Sequence, residues 1–292
     1  MRSGAFELVE PLPELKEPHV LSIIRPWMDA GNASSMMLSR LEAYFDARDL
    51  GRLARPGNFL DFTRCRPLVY NDQGTRRVVV PNTFLTYAKR ESGNDFIFLN
   101  MTEPHMLAEI YVDSIVRLFT IFGVKRYCLL GSMYDLVPHT RPLLITGRGG
   151  KSMEQKLGPL DVQSSDYEGP TTIIHLVSQH AAEMGIETMS FIVHLPQYTQ
   201  LDNDYAGMVR LMELLHSIYD IPVDEDDTRE AEKQRRNLDA VLDHNPRMKN
   251  VVTQLEEQYE ARFRKDTQKD SPRLAPEVEQ FLKEMEQRFR QG

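Results

Sequence analysis

Apolar residues along the chain fall into two alternating kinds of run. Short continuous ones, at residues 19–24, 95–100, 127–130, 143–146 and 187–195, have the length and flanking breakers of buried strands. Between them lie longer stretches with three-to-four spacing. Residues 33–45 carry Met36, Met37, Leu41, Tyr44 and Phe45 in this way, and residues 107–122 carry Ile110, Ile115, Leu118, Phe119 and Phe122 before Gly123. Residues 171–184 end at Gly185, and residues 204–219 place Met208, Leu211, Met212, Leu215 and Ile218 on one face. These spacings predict helices. Strands separated by helices of ten residues or more imply a mostly parallel mixed sheet covered on both faces, a three-layer α/β/α arrangement.

The remaining stretches read differently. Residues 1–18 hold Pro11, Pro13 and Pro18 and predict an extended arm, in which Phe6, Leu8 and Val9 can pair as an edge strand. Residues 66–70 and 76–80 flank Asn71-Asp72-Gln73-Gly74, a hairpin with turn residues in place. Residues 148–170 are glycine-rich and polar, with a short helix expected near residues 153–157. The core domain is therefore expected over residues 19–222. From Asp224 onward a charged extension, residues 223–292, stays helical in pattern, over about residues 228–242, 246–263 and 276–289. Its apolar stripe (Val251, Val252, Leu255, Tyr259, Phe263) is narrow, so these helices must dock on the body or on another subunit.

Composition narrows the function classes. A net charge of −8 argues against nucleic acid as a partner, and against an anionic membrane. No apolar run approaches the roughly 20 residues of a membrane span, and the first 18 residues have no continuous apolar core of the kind a signal peptide needs. Two distant cysteines, Cys65 and Cys128, suggest neither a disulfide framework nor a zinc site, so the expected setting is a reducing cytoplasm. Gly147-Arg148-Gly149-Gly150-Lys151 lacks the full phosphate-loop frame, so no nucleotide, and no other cofactor or metal, is expected.

Four polar stretches follow expected strands: Asp29-Ala30-Gly31, Thr102-Glu103-Pro104-His105, Gly131-Ser132 and Pro138-His139-Thr140-Arg141-Pro142. The flanking prolines stiffen the last of these and bias Arg141 toward extended backbone. With parallel strands the stretches share one rim, where Asp29, Glu103, His139 and Arg141 can converge. Arg141 would then clamp an anion while His139 or Glu103 moves a proton. The competing reading is an ion-pair network in which Arg141 forks onto Asp29 or Glu103. Near the first strand, Gly31 reads as a turn glycine with φ > 0 and Asp29 as a helix cap, ahead of a backbone anion cradle. His194 ends a strand with no evident partner.

These same residues resemble the proteasome assembly chaperone family, in particular prokaryotic relatives of its second member. The likeness covers about residues 18–220. It rests on Asp29-Ala30-Gly31, Arg66-Pro67, Glu103-Pro104 and above all Pro138-His139-Thr140-Arg141-Pro142 with Thr146-Gly147. The resemblance implies a fold like that of nucleoside phosphorylases and peptidyl hydrolases, a homo-oligomer with trimers among the forms, and helical C-terminal extensions. It implies work by protein binding, with a client such as a proteasome-type subunit. Asp29, Gly31, Glu103, Pro138, His139, Thr140 and Arg141 would then shape an interface or hold the subunit together. Ala108 stands where relatives often carry tryptophan, and the terminal Phe289-Arg290-Gln291-Gly292 is not the hydrophobic–tyrosine–any tail used for docking on proteasome rings. The alternative is a phosphorylase-like or hydrolase-like enzyme, or a small-anion binder, using Arg141 with His139 or Glu103.

Overall fold

In the computed structural model, residues 1–149, 157–165, 167–263 and 280 are described. Nine strands form one twisted sheet: β1 (Arg2–Ser3), β2 (Phe6–Leu8), β3 (His19–Arg25), β4 (Arg48–Leu53), β7 (Phe84–Ala88), β8 (Phe96–Thr102), β9 (Arg126–Asp135), β10 (Ile145–Arg148) and β11 (Glu187–Pro196). Two more, β5 (Leu68–Asp72) and β6 (Thr75–Val79), pair among the described residues only with each other. The order in the large sheet is β1-β2-β4-β7-β8-β3-β9-β11-β10. Its centre, β8-β3-β9-β11, is parallel. Antiparallel strands extend it on both sides, β10 at one edge and the wing β7-β4-β2-β1 at the other. Phe6 and Leu8, expected with Val9 as an edge strand, do pair in this wing against β4, but as an inner strand that ends before Val9, with β1 at the edge.

The helices α1 (Ala33–Tyr44), α2 (Ala108–Phe122), α3 (Ile174–Glu183) and α4 (Tyr205–Tyr219) lie on the two faces. Side chains of each central strand alternate between two cores, because successive residues point to opposite faces. Leu21, Ile23, Cys128 and Leu130 pack with α1 and α4, whereas Val20, Ile24, Tyr127 and Leu129 pack with α2 and α3. On α2 the inward stripe contains Tyr111 and not Ile110, which is exposed; the other four expected positions are buried. Gly123, at φ 65°, closes that helix as expected.

Gly131 and Ser132 do not form a loop. β9 runs through them to Asp135, paired residue for residue with β11. The glycine is there for space: a Cβ at Gly131 would stand 2.9 Å from Ile192 and 3.2 Å from Met28, where the segment after β3 crosses the strand. Ser132 N–H donates to the Met28 carbonyl at 3.0 Å at that crossing. The expected turn at Gln73-Gly74 is present, with both residues at positive φ, 47° and 84°.

Beyond the core run α5 (Glu225–Asp243) and α6 (Pro246–Phe263). Asp224 caps α5 by accepting the Asp226 N–H at 2.8 Å. The helices expected near residues 153–157 and over residues 276–289 lie outside the described residues, except for 157 and 280. No described helix is long and apolar enough to cross a membrane.

Candidate functional site

The turn after β3 is closed by its own bonds. The Asp29 carboxylate accepts the Ser35 N–H at 3.0 Å and also takes the Ser35 hydroxyl. It occupies the position an anion would take at the start of α1. Gly31 has φ 56°, and its carbonyl accepts the Asp204 N–H at 2.8 Å. A Cβ there would meet the Asp204 side chain at 2.7 Å. Ser132 Oγ donates to the Ala30 carbonyl at 2.8 Å, locking the turn onto β9.

Glu103 sits elsewhere. One carboxylate oxygen accepts the Ile173 N–H at 3.0 Å, on the face that holds α2 and α3. The other oxygen is buried with no hydrogen-bond partner among the described residues. Burial pushes this carboxyl above the usual carboxylate range, against the opposing backbone hydrogen bond.

The loop at residues 138–142 is the best-built part of the rim. The His139 N–H donates to the Tyr198 hydroxyl at 2.8 Å, and the ring Nδ1 lies 2.5 Å from the same oxygen. Its Nε2 stands 3.3 Å from Asp239 of α5. Burial lowers the pKa of this imidazole, with Asp239 pulling the other way. Thr140 donates its hydroxyl to Glu256 of α6. Arg141 reaches Glu256 at 3.0 Å and Glu260 at 2.8 Å, and the Tyr259 hydroxyl donates to the Pro142 carbonyl at 2.8 Å. Beneath these contacts Tyr198, Val251, Val252 and Leu255 form a small apolar core of their own. The loop therefore holds α5 and α6 against the carboxyl ends of the central strands.

Of the four charged or titratable residues expected at the rim, only the neighbours His139 and Arg141 act together. Asp29 bonds to Ser35 and Glu103 to Ile173, and Arg141 forks onto Glu256 and Glu260 and not onto Asp29 or Glu103. The convergence expected from parallel strands fails for Glu103 because its side chain falls on the opposite face of the sheet.

A second polar array was not legible in the sequence. His194 of β11 places Nδ1 2.9 Å from Asp135 of β9 and Nε2 2.7 Å from the Thr146 hydroxyl of β10. Arg262 of α6 also reaches Asp135, at 3.4 Å. Burial pushes the Asp135 carboxyl up, but His194, the Leu136 N–H and Arg262 outweigh it and hold it at about 2. No local signal marks Asp135, Thr146 and His194, which are 11 to 59 positions apart in the chain and meet through strand order. A cavity of about 430 Å³ lies between the loop, α4 and α5, lined by His139, Arg141, Pro196, Arg210, Glu213 and Arg235. Arg210 is committed there to the carbonyls of Leu143 and Leu160 and to Glu213. Among the described residues no cluster of three metal-ligating side chains occurs.

Comparisons with known proteins give a consistent likeness. A family model described as the PAC2 family matches residues 23–242. No curated protein matches the chain. Among solved structures, a Corynebacterium glutamicum protein of unknown function is 23% identical, with a TM-score of 0.79 over 90% of this chain and 99% of that one. A Mycobacterium tuberculosis proteasome-assembly chaperone homologue is 22% identical, with a TM-score of 0.67 over 76% of this chain and 94% of its own. Pyrococcus furiosus PbaB, described as an archaeal proteasome activator, is 13% identical, with a TM-score of 0.62 over 82% and 99%. At these identities the likeness is one of fold.

Proposed function

The chain belongs to the PAC2 family, and on that premise we propose that it is a non-catalytic, protein-binding protein that works in the manner of an assembly chaperone. In this reading it acts in the cytoplasm as a homo-oligomer, a trimer being the expected form, and its client is a proteasome-type subunit. Two solved relatives of the fold are described as a proteasome-assembly chaperone homologue and a proteasome activator. Fold alone does not carry function; the residues of the site must supply it.

The observation that carries it is the use made of the loop at residues 138–142. Its imidazole, hydroxyl and guanidinium are all engaged by side chains of Tyr198, α5 and α6. This is how residues behave that shape a protein surface by holding helices on it. For the anion-clamp reading, Arg141 would have to release both Glu256 and Glu260, and Glu103 would have to act from the other face of the sheet.

The test is sedimentation of the full chain alone and with purified proteasome-type subunits. The expected result is a self-assembly of three times the 33.7 kDa of one chain and a faster-moving complex once subunits are added. A chain that sediments unchanged with every subunit type offered would rule out the client.

A further inference from the structure

The β5–β6 hairpin has no counterpart in the chemistry described so far. It is a two-stranded sheet that pairs with no other strand among the described residues, and such ribbons are marginal by themselves in water. The register sets Leu68 opposite Val79 and Tyr70 opposite Arg77 on one face, and Val69 opposite Val78 and Asn71 opposite Arg76 on the other. Both faces are apolar near the base of the ribbon. Leu68, Val69, Tyr70, Val78, Val79 and Val80 are between 40% and 69% exposed. A ribbon that covered its own body would bury one face. This one buries neither.

Beside it lies a groove of about 710 Å³. One wall is Val78, Val79 and Val80, and the other is the outer surface of β2, β4 and β7, with Glu7, Asp49, Arg52 and Phe84. Glu7 and Asp49 are exposed there. The hairpin, residues 66–80, carries Arg66, Arg76 and Arg77 against a single acid, Asp72, in a chain whose net charge is −8. Arg77 is paired with Asp72 within the ribbon at 2.9 Å. Arg76, on the exposed β6 opposite Asn71, meets no acid among the described residues.

We propose that this hairpin is a self-association arm: the ribbon of one copy lies in the groove of a second copy, its valines and Leu68 against the valine wall and Arg76 against Glu7 and Asp49. Apolar contact supplies the burial that the lone ribbon lacks, and the charge match favours another copy of this acidic chain. The proposal deepens the homo-oligomer reading above and rests on it.

The test compares full-length native mass by light scattering for the wild type and for a Leu68→Asp/Val69→Asp variant, at matched concentration. These side chains are exposed and outside the two main cores, so the variant keeps the circular dichroism of the folded chain. The expected result is an oligomer that weakens at least ten-fold in the variant. A second measurement mixes Arg76→Cys and Glu7→Cys chains, both carrying Cys65→Ser. Under mild oxidation a covalent pair is expected in the mixture and in neither chain alone. An unchanged mass in the aspartate variant, a monomeric wild type, or an absent covalent pair each overturns the proposal. Failure of the proteasome-subunit experiment, with the arm variant still dissociating, would overturn only the client.

Discussion

His19 begins the central strand β3 with its ring buried, edge-on to Tyr219 at 5.6 Å, and its Nδ1 without a partner among the described residues. Burial, with the charges of Arg126 and Arg90, lowers its pKa from 6.5 to about 4. The folded protein therefore keeps this imidazole neutral while the unfolded chain takes up a proton. Stability is full above pH 6.5, falls as the pH drops, and levels off below about 4, for a loss of about 3 kcal/mol. Denaturant titrations at pH 7 and pH 4.5 should show the decline, and His19→Gln should flatten it. Gly31 makes a separate residue-scale prediction. Its φ of 56° and the 2.7 Å approach to Asp204 mean that Gly31→Ala adds both backbone strain and a clash. A loss of about 2–3 kcal/mol is expected from chemical denaturation.

At the level of elements, α6 depends on two unequal supports. Leu255 is fully buried in the small core with Tyr198, Val251 and Val252, and Leu255→Ala should cost about 2–4 kcal/mol of helix docking. Arg141 is one-third exposed, and its pairs with Glu256 and Glu260 are partly open to solvent. Arg141→Ala should accordingly cost no more than about 1 kcal/mol. Amide exchange over residues 246–263 separates the two: Leu255→Ala should speed it strongly and Arg141→Ala mildly, with the exchange of β3 unchanged in both. Equal effects would show that the ion pairs, and not the apolar seam, hold the helix. These helices were visible in the sequence because their stripes are periodic, down to the start of α6 at Pro246. Their docking on residues 139–142 was not, because the partners lie about 100 to 119 positions away.

Across the whole molecule, Asp135 joins the parallel centre of the sheet to the C-terminal helices through His194 and Arg262. Its folded pKa, about 2, lies below the ordinary 3.8. The stabilisation is complete above pH 3.8 and lost as the pH falls through about 2, worth about 2 kcal/mol. Acid titration of the full chain should therefore show a second, lower step beneath that of His19. Asp135→Asn should remove that lower step and leave the upper one. The two faces of the sheet carry separate cores, joined by the strands and by Met28 after β3, whose carbonyl takes the Ser34 hydroxyl of α1 while its side chain packs on the α2–α3 core.

The central strands, the helices α1 to α4 and the hairpin turn were determined by local pattern (runs of Ile, Leu and Phe, three-to-four spacing, and glycines at positive φ), whereas the wing strands β1, β4 and β7 and the inward place of Tyr111 instead of Ile110 on α2 were not. The local patterns depend on neighbours within a few residues, which the chain displays directly. Gly131 shows the limit, since in a local window it reads as a strand end, while its true role is to leave room for Met28 and Ile192. Which side of the sheet Glu103 faces, which acids Arg141 meets, and that Asp135, His194 and Thr146 form one array were decided only by tertiary structure. Strand order and face alternation set those distances, and both arise from packing two cores against one sheet, a constraint that no short stretch of sequence contains.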